Sequence, residues 1–211
     1  MDYISAIYQA VLKGDASTAK EGVKTALQSG LPVNKIMQEG LIAAMGEIGC
    51  QYEEGEIFVP EMLIAARAMQ AGLEPLRPLL AQSGVKSAGR IVLGTVKGDL
   101  HDIGKNLVGM MLEGAGFEVI DLGNDVGPEK FVDAVRQLQP QLIAMSALLT
   151  TTMPSMGNII QALKDAGVRE QVKVIIGGAP VTQEYANQIG ADGFSPDASA
   201  AARLAKSIVE A

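Results

Sequence analysis

The feature that most constrains the fold is an alternation of short apolar runs with helical stretches, which begins at about residue 88. The runs are too short for helices, are rich in Val and Ile, and are bounded by Gly or Pro. They lie at residues 91–96, 117–122, 142–146 and 174–176, with a weaker one near 193–194. Strands that alternate with helices in this way predict an α/β fold, in which helices cover both faces of a parallel sheet.

Five βα units in about 120 residues fit a flavodoxin-like (Rossmann-type) doubly wound sheet with the strand order 2-1-3-4-5. In this order the winding reverses between strands 1 and 3, and ligands bind beyond the carboxyl ends of the strands there. The loops that should meet at this point are residues 97–104 and 146–152, with residues 177–180 beside them. The sequence therefore predicts a binding site at this edge of a five-stranded parallel sheet.

Residues 1–87 show only helical patterns. Apolar residues recur at helical spacing in four segments, and Pro32 and Pro60 stand where the first turn of a helix tolerates proline. Four helices joined by short loops predict a four-helix bundle. With residues 82–89 as a linker, the predicted domains are residues 1–87 and residues 88–211.

The composition argues against several classes of partner. Seventeen basic and 24 acidic residues give a net charge of −7, so the chain has no broad basic face for nucleic acid. The single cysteine, Cys50, allows neither an internal disulfide nor a CxxC metal site. No apolar run approaches the ~18–20 residues of a membrane span, and the N-terminus lacks the basic residues of a signal peptide. We therefore expect a soluble, cytoplasmic protein without a nucleic-acid or membrane partner.

The only histidine of the chain lies on the first of the convergent loops, in the sequence Asp99-Leu100-His101. A carboxylate two residues before a histidine can accept the Nδ1 proton and leave Nε2 free as a ligand or base. The simpler interpretation is a loop histidine that caps the following helix. Its place at the predicted ligand-binding edge favours the functional interpretation.

The residues around this histidine do not match several common sites. A phosphate-binding loop is absent, because Ile103 stands where its second glycine is required, and no G-x-G-x-x-G sequence follows strand 1. Ser146 lies in Met-Ser-Ala rather than in a G-x-S-x-G elbow, and it stands where a phospho-receiver domain has an aspartate. One histidine cannot supply the three or four ligands that zinc needs. A metal that is already held by a macrocycle and needs one axial ligand fits better.

Three motifs, each placed after a predicted strand, resemble the cobalamin-binding signature of methyltransferases and mutases: Asp99-x-His101-x-x-Gly104, Ser146-x-Leu148 and Gly177-Gly178. The acidic connector of residues 51–58 and the sequence Phe58-Val-Pro-Glu-Met-Leu63 look like the capping domain of methyl-transferring corrinoid proteins. The resemblance covers nearly the whole chain. It is strongest to the stand-alone corrinoid proteins of methanogen and acetogen methyltransferase systems and to the cobalamin module of methionine synthase.

This resemblance implies that the cofactor is cobalamin or a related corrinoid, bound base-off. His101 would replace the dimethylbenzimidazole base as the lower axial ligand of cobalt, through Nε2. Asp99 would bond the other ring nitrogen, and Thr152 stands where the family has a serine that extends this chain. Asp99, His101 and Thr152 are therefore the candidate catalytic residues, and His101 is the candidate metal ligand.

The remaining cofactor contacts also come from the resemblance. Small residues leave room for the displaced nucleotide tail, Thr150 would bond the corrin rim, and Ala198 would contact its edge. Phe58 and Met62 are the candidates for covering the upper, methyl-bearing face. The implied cofactor-binding residues are Gly98, Asp99, His101, Asp102, Ile103, Gly104, Ser146, Leu148, Thr150, Gly177, Gly178, Ala198, Phe58 and Met62.

The function that the resemblance implies is that of a methyl carrier, a non-catalytic corrinoid subunit of a multicomponent methyltransferase. Cobalt(I) would accept a methyl group from a substrate on a substrate-specific methyltransferase. As methyl-cobalt(III), it would pass the group to tetrahydrofolate or a thiol such as coenzyme M on an acceptor methyltransferase. A reductive activase is the third implied partner. Methanol, methylamines, betaines and methoxylated aromatics all stay open as donors.

Other functions are less well matched by the sequence. A cobalamin-binding sensor or regulatory protein needs an output domain, for which 211 residues leave no room. The cobalamin subunit of a radical mutase would not explain the helical half before the sheet. A flavodoxin-like nucleotide binder lacks a phosphate loop and leaves the Asp99–His101 pair unexplained.

Overall fold

The structure, a computed structural model, describes residues 2–83 and 87–210. The chain folds into two compact units. The first comprises Met1–Ser87 together with Glu113–Gly116, and the second comprises Ala88–Leu112 and Phe117–Ala211. Residues 84–86, in the middle of the predicted linker, lie outside the described residues.

The first unit is helical throughout its secondary structure. Its elements are α1 (Tyr3–Leu12), α2 (Ala16–Gln28), α3 (Val33–Lys35), a π-helical segment (Ile36–Ile42), α4 (Ala43–Glu53), α5 (Val59–Leu73) and α6 (Arg77–Ser83). Side chains explain where these helices start. Asp15 caps α2 by accepting from the Thr18 amide at 3.0 Å, and the Glu61 carboxylate in the first turn of α5 accepts from the Phe58 amide at 3.1 Å.

Two details of this unit differ from the sequence-based expectation. The third predicted helix is not uniform, because its middle, Ile36–Ile42, is π-helical. A π-helix bonds residue i to residue i+5, so the 3.6-residue periodicity used for the prediction does not detect it. The short helix α6 was also not predicted.

The second unit contains the predicted parallel sheet. Its strands are β1 (Arg90–Thr95), β2 (Glu118–Asp121), β3 (Leu142–Ser146), β4 (Lys173–Gly177) and β5 (Gly193–Ser195). All neighbouring strands are parallel, and their order is β2-β1-β3-β4-β5. The doubly wound, flavodoxin-like α/β fold and its strand order are therefore confirmed.

The helices of the second unit pack against the sheet and complete its hydrophobic core. They are α7 (Ile103–Gly114), whose last two residues belong to the first unit, α8 (Pro128–Leu138), α9 (Pro154–Asp165), α10 (Gln183–Ile189) and α11 (Ala198–Glu210). The middle residues of β1, β3 and β4 are all buried, whereas β2 at the sheet edge has no buried residue. Such uniformly apolar central strands are typical of a parallel sheet with both faces covered. Within the described part of the chain, no helix is both long and apolar enough to span a membrane.

Candidate cofactor-binding site

The strand register brings three loops to one edge of the sheet. Thr95, the last residue of β1, is paired with Ser146 at the end of β3, and Ser146 is paired with Gly177 at the end of β4. The loops after these three strands therefore leave the sheet side by side. Because β1 and β3 are the neighbours at which the winding reverses, this edge is the ligand-binding position of the fold.

The first of these loops, residues 97–101, is called the histidine loop below. It begins with a tight turn in which the Asp99 amide donates to the Val96 carbonyl at 3.1 Å. Gly98 occupies the third position of this turn with φ +85°, a value that favours glycine. The turn delivers Asp99 into the protein, where the residue is fully buried. The buried Thr95 hydroxyl donates to the His101 carbonyl at 3.0 Å and fixes the other end of the loop.

Each oxygen of the Asp99 carboxylate has its own set of donors. Oδ1 lies 2.7 Å from His101 Nδ1 and accepts from the His101 amide at 3.1 Å. Oδ2 accepts from the Thr152 hydroxyl and the Leu148 amide, each at 2.7 Å, and from the Leu149 amide at 3.4 Å. Burial by itself raises the pKa of Asp99, but the hydrogen bonds from Thr152, Leu148 and His101 outweigh it and hold the pKa well below its usual range. Asp99 is therefore an ionised acceptor that fixes the imidazole.

The His101 ring is held at one nitrogen and open at the other. Its side chain is 52% exposed although its partner Asp99 is fully buried. With Nδ1 bonded to the carboxylate, the ring carries its proton there, and Nε2 keeps its lone pair. Nε2 has no hydrogen-bond partner among the described residues. The arrangement offers one neutral nitrogen ligand at the surface of the unit.

The surroundings of this nitrogen fit a large, mostly apolar ring system. Four large apolar side chains on these loops and at the start of α7 are exposed: Leu100, Ile103, Leu148 and Leu149. A Cβ atom added at Gly104 would meet no atom within 4 Å, so packing within the chain does not require glycine there. Exposed apolar residues beside an open glycine are expected where a ligand covers them. The residues present therefore fit a corrinoid, and His101 Nε2 is the nitrogen available to its metal.

The glycine pair after β4 has a structural reason of its own. A Cβ atom at Gly178, which has φ +131°, would lie 1.9 Å from the Ala147 carbonyl oxygen. At Gly177 it would lie 3.0 Å from the Ser195 carbonyl oxygen. At Gly178 the backbones approach so closely that no room is left for a side chain. At Gly177 a side chain would need the Ser195 backbone to shift by a few tenths of an ångström. Glycine at position 178 is thus required by the packing of neighbouring strand ends at this edge, whatever else it contacts, and glycine at position 177 is favoured by it.

Other residues predicted for the site are less closely connected to this network. Thr150 is exposed and Asp102 is partly buried; the carbonyl of Asp102 accepts from the Asn106 amide in the first turn of α7. Ala198 is buried at the start of α11. Phe58, which is exposed, and Met62, which is buried, belong to the helical unit.

Three groups near the histidine were not predicted from the sequence. Thr95 bonds the His101 carbonyl, as described above, and Asp125 bonds the backbone on both sides of the Gly98–Asp99 peptide. Lys105 in α7 is buried and forms an ion pair with Asp121 at the end of β2. The one available signal was the position of Thr95 and Asp121 at the carboxyl ends of β1 and β2.

Replacing Thr152 with valine should destabilise the protein by about 1.5–3 kcal/mol, the range for a hydrogen bond to a charged group. Valine keeps the shape of the buried side chain but removes a donor to Asp99 Oδ2, so it should also raise the pKa of Asp99. Thr152→Ser keeps the hydroxyl and should cost less. Denaturant titration measures the loss, with the exposed Thr151→Val as control. Equal losses for Thr152→Val and Thr151→Val would contradict the assignment.

Replacing Asp99 with asparagine should destabilise the protein by about 2–4 kcal/mol at neutral pH, because a buried ionic acceptor is lost. The folded pKa of Asp99 lies below its unfolded value of about 3.9, so its contribution is complete well above pH 4 and is lost as pH falls toward the folded pKa. The stability difference between wild type and Asp99→Asn should therefore narrow in acid. Urea titrations across pH test this, with the exposed Asp133→Asn as control. A difference that widens in acid would contradict the pKa direction.

Comparison with known families assigns both units. A family model described as "B12 binding domain" matches residues 89–205, and a second model with the same description matches residues 3–77. The first match alone spans more than half of the chain. It contains the whole of the edge at which Asp99, His101 and Thr152 meet.

Individual proteins match along nearly the full length. Trimethylamine corrinoid protein 1 of Methanosarcina acetivorans is 43% identical over 199 residues, which cover 93% of this chain and 92% of that protein. Dimethylamine corrinoid protein 1 of the same organism is 46% identical over 180 residues, covering 85% and 84%. The crystal structure of the methanol:cobalamin methyltransferase complex MtaBC from Methanosarcina barkeri matches with a TM-score of 0.87 and 31% identity, over 99% of this chain and 80% of that chain. The chain therefore belongs to the B12-binding corrinoid proteins of methyltransferase systems.

Proposed function

We propose that this chain is a methyl carrier that holds its corrinoid base-off, with His101 as the lower axial ligand. The observation that carries this proposal is the Asp99–His101 pair. A fully buried carboxylate fixes Nδ1 at 2.7 Å, and the ring is half-exposed with Nε2 available. A hydrogen bond that orients the non-coordinating nitrogen is the usual companion of a metal-bound histidine.

The bound corrinoid would supply a cobalt centre whose reduced form is nucleophilic enough to accept a methyl group and to give it up again. The protein controls the nitrogen that reaches the metal. Ionised Asp99 holds the proton on Nδ1 and increases the donor strength of Nε2, while Thr152 and Leu148 keep the carboxylate in place.

We propose that the cofactor's nucleotide tail passes the small residues at this edge. Gly104 is open, Ser146 ends β3 half-buried, and Gly177 and Gly178 follow β4. The Leu148 side chain is 42% exposed and would provide an apolar contact for the corrin ring or the nucleotide tail. Gly98, Asp102, Ile103, Thr150 and Ala198 complete the proposed contacts.

We propose that the helical unit is the domain that caps the methyl-bearing face. Phe58, just before α5, is 67% exposed, which is unusual for a large aromatic residue and suits a ligand contact. Met62 in the first turns of α5 stays a candidate for the same face, although its side chain is buried in this structure.

The names of the relatives support a choice of partners. Two relatives are named for trimethylamine and dimethylamine, and the matched complex for methanol. We propose a methylated amine or methanol as donor, held by a substrate-specific methyltransferase. The acceptor, tetrahydrofolate or a thiol such as coenzyme M, would be held by a second methyltransferase, and a reductive activase would restore the reduced metal. The matches cover 92% and 84% of the two relatives, both named as corrinoid proteins, which favours a carrier over a sensor or mutase subunit.

Reconstitution with hydroxocobalamin tests this function. The purified chain is mixed with excess cofactor and passed through a size-exclusion column, and the retained cobalamin is measured by absorbance. We expect the column to retain about one cobalamin per chain. After the bound cofactor is reduced, its absorbance should change when a methyltransferase and one of the proposed donors are added together. Failure to retain cobalamin would contradict corrinoid binding. Retention without a response to methylated amines or methanol would contradict the donor assignment.

A further inference from the structure

A second loop lies beside the histidine loop and bonds its backbone from the side opposite Thr152. This loop, residues 122–127, joins β2 to α8 and is called the brace below. Asp125 Oδ1 accepts from the Gly98 amide at 2.8 Å, and the Asp125 amide donates to the Asp99 carbonyl at 3.0 Å. Asn124 Nδ2 donates to the Leu100 carbonyl at 3.3 Å. The function proposed above uses none of these contacts.

Asp125 itself has an unusual backbone conformation. Its φ is +53°, and within the described residues only Gln139, at +46°, is another non-glycine residue with positive φ. The left-handed region is disfavoured for side chains other than Asn, Asp and Gly. The conformation places the amide and the side chain of Asp125 on the two sides of the Gly98–Asp99 peptide. One residue thereby bonds both the Gly98 amide and the Asp99 carbonyl.

The contact with Gly98 matters because Gly98 forms the turn that carries Asp99. In this turn the Gly98 amide is not part of the closing hydrogen bond, which runs from Asp99 to Val96. That amide belongs to the Lys97–Gly98 peptide, whose carbonyl accepts from the Ser155 hydroxyl at 3.1 Å. Asp125 therefore holds the N–H side of this peptide, and Ser155 holds its carbonyl side. Since Asp99 Oδ1 orients the ring of His101, a rotation of this peptide would misalign the carboxylate and the imidazole.

The brace is firmly attached to the sheet, so it can serve as a fixed support. The Thr95 amide donates to the Gly123 carbonyl and the Val126 amide to the Thr95 carbonyl, each at 3.0 Å. At the start of the brace, Asp121 pairs with buried Lys105 through one carboxylate oxygen and accepts from the Gly123 amide through the other at 2.8 Å. The brace is thus bonded to the end of β1, next to the residues it supports.

We propose that Asp125 is a positioning residue for the axial histidine: through the Gly98 amide and the Asp99 carbonyl, it keeps Asp99 aligned with His101 Nδ1 and so keeps Nε2 free for the metal. This inference rests on the proposed function for its purpose, but its geometry can be tested in the chain without cofactor. It extends the support of the histidine from the Thr152 side to the opposite side of the loop.

The test compares three substitutions with the wild type. In Asp125→Gly, the glycine adopts the same φ without strain, and its backbone amide still donates a hydrogen bond to the Asp99 carbonyl. The substitution therefore removes only the acceptor for the Gly98 amide. Asp125→Asn keeps an oxygen acceptor and tolerates positive φ, so it should rescue. Gln139→Gly, at the end of α8, is the matched control, because it also replaces a non-glycine residue of positive φ by glycine but lies away from the histidine loop. Asn124→Ala removes the other brace contact and provides a second variant.

Two readouts follow the histidine. Because His101 is the only histidine, ¹⁵N-histidine labels it alone, and the ring shifts of the cofactor-free chain report its tautomer near pH 8.5, where an ordinary imidazole is neutral. We expect the Nδ1–H form in wild type, Asp125→Asn and Gln139→Gly. In Asp125→Gly the Nε2–H form should increase about threefold to tenfold, the effect of one hydrogen bond. Asn124→Ala should also increase the Nε2–H form.

The second readout is the fraction of bound cobalt(II) cobalamin that carries the histidine nitrogen as a ligand. This fraction should fall only in Asp125→Gly and Asn124→Ala.

The outcomes separate this inference from the proposed function. An unchanged tautomer and unchanged ligation in Asp125→Gly would overturn the positioning role of Asp125, whatever Asn124→Ala shows. Equal changes in Gln139→Gly would also overturn it, because the effect would then be one of general stability. If the wild type fails to ligate cobalt but the tautomer shifts as expected, the proposed function fails and the positioning role of Asp125 stands.

Discussion

Replacing His101 with alanine should abolish nitrogen ligation by the protein and weaken cobalamin binding at least about 10–100-fold, a loss already typical of an outer partner of a metal ligand. The free energy of unfolding should change by less than about 1 kcal/mol, because the side chain is half-exposed and Asp99 keeps the His101 amide and three donors at Oδ2. Equilibrium binding of hydroxocobalamin and urea titration of the cofactor-free chain measure the two quantities.

The contrast between a large binding effect and a small stability effect identifies a ligand. Gln188→Ala, which truncates an exposed polar side chain on α10, is the control and should change neither quantity. If His101→Ala destabilised the chain by several kcal/mol and bound cobalamin as tightly as the wild type, the histidine would be a helix-capping residue. The simpler interpretation of the Asp99-Leu100-His101 sequence would then be correct.

Replacing Gly178 with alanine should destabilise the second unit by at least about 3–5 kcal/mol. The new Cβ would lie 1.9 Å from the Ala147 carbonyl oxygen and 2.9 Å from its carbon, so the loops after β3 and β4 must separate. The positive φ of +131° adds strain of about 1–3 kcal/mol. Because Leu148, next to Ala147, donates its amide to Asp99, the same displacement should weaken cobalamin binding.

Gly167→Ala separates the steric effect from the backbone strain. Gly167 has φ +69°, but a Cβ there would meet no atom within 4 Å, so the cost should be only about 1–2 kcal/mol. Urea titration of both variants gives the difference, and cobalamin retention should stay normal in Gly167→Ala. Equal costs for the two substitutions would show that the close approach of Gly178 and Ala147 relaxes easily.

Much of the second unit could be predicted from the sequence, because its strands differ from its helices in length and composition. The apolar runs at residues 91–96 and 142–146 correspond to β1 and β3, and the strand order followed from the number of βα units. In the first unit, the sequence also predicted that Asp15 caps α2 and that Pro60 lies in the first turn of a helix, α5. The π-helical segment Ile36–Ile42 was not predicted, since its hydrogen bonds run from residue i to residue i+5 and the 3.6-residue periodicity does not detect them.

The site was only partly predictable for a similar reason. Asp99 and His101 are two residues apart, so their pairing could be inferred from spacing. Thr152 was placed by resemblance alone, and the structure puts its hydroxyl 2.7 Å from Asp99. Asp125 was missed because it lies 27 residues from Gly98 and its bonds are mainly to backbone, which no side-chain pattern encodes.

The most direct test of the account is electron paramagnetic resonance of the cobalt(II) form of the reconstituted protein, prepared with natural-abundance histidine and with ¹⁵N-histidine. The unpaired electron of low-spin cobalt(II) occupies an orbital directed along the axial direction. An axial ¹⁴N ligand therefore splits each line into a triplet, and an axial ¹⁵N ligand splits it into a doublet. Since His101 is the only histidine, a triplet that becomes a doublet on labelling can come only from that ring. We expect this change from triplet to doublet. A triplet that persists in the labelled protein would show that the cofactor's own base remains on cobalt and would contradict the account.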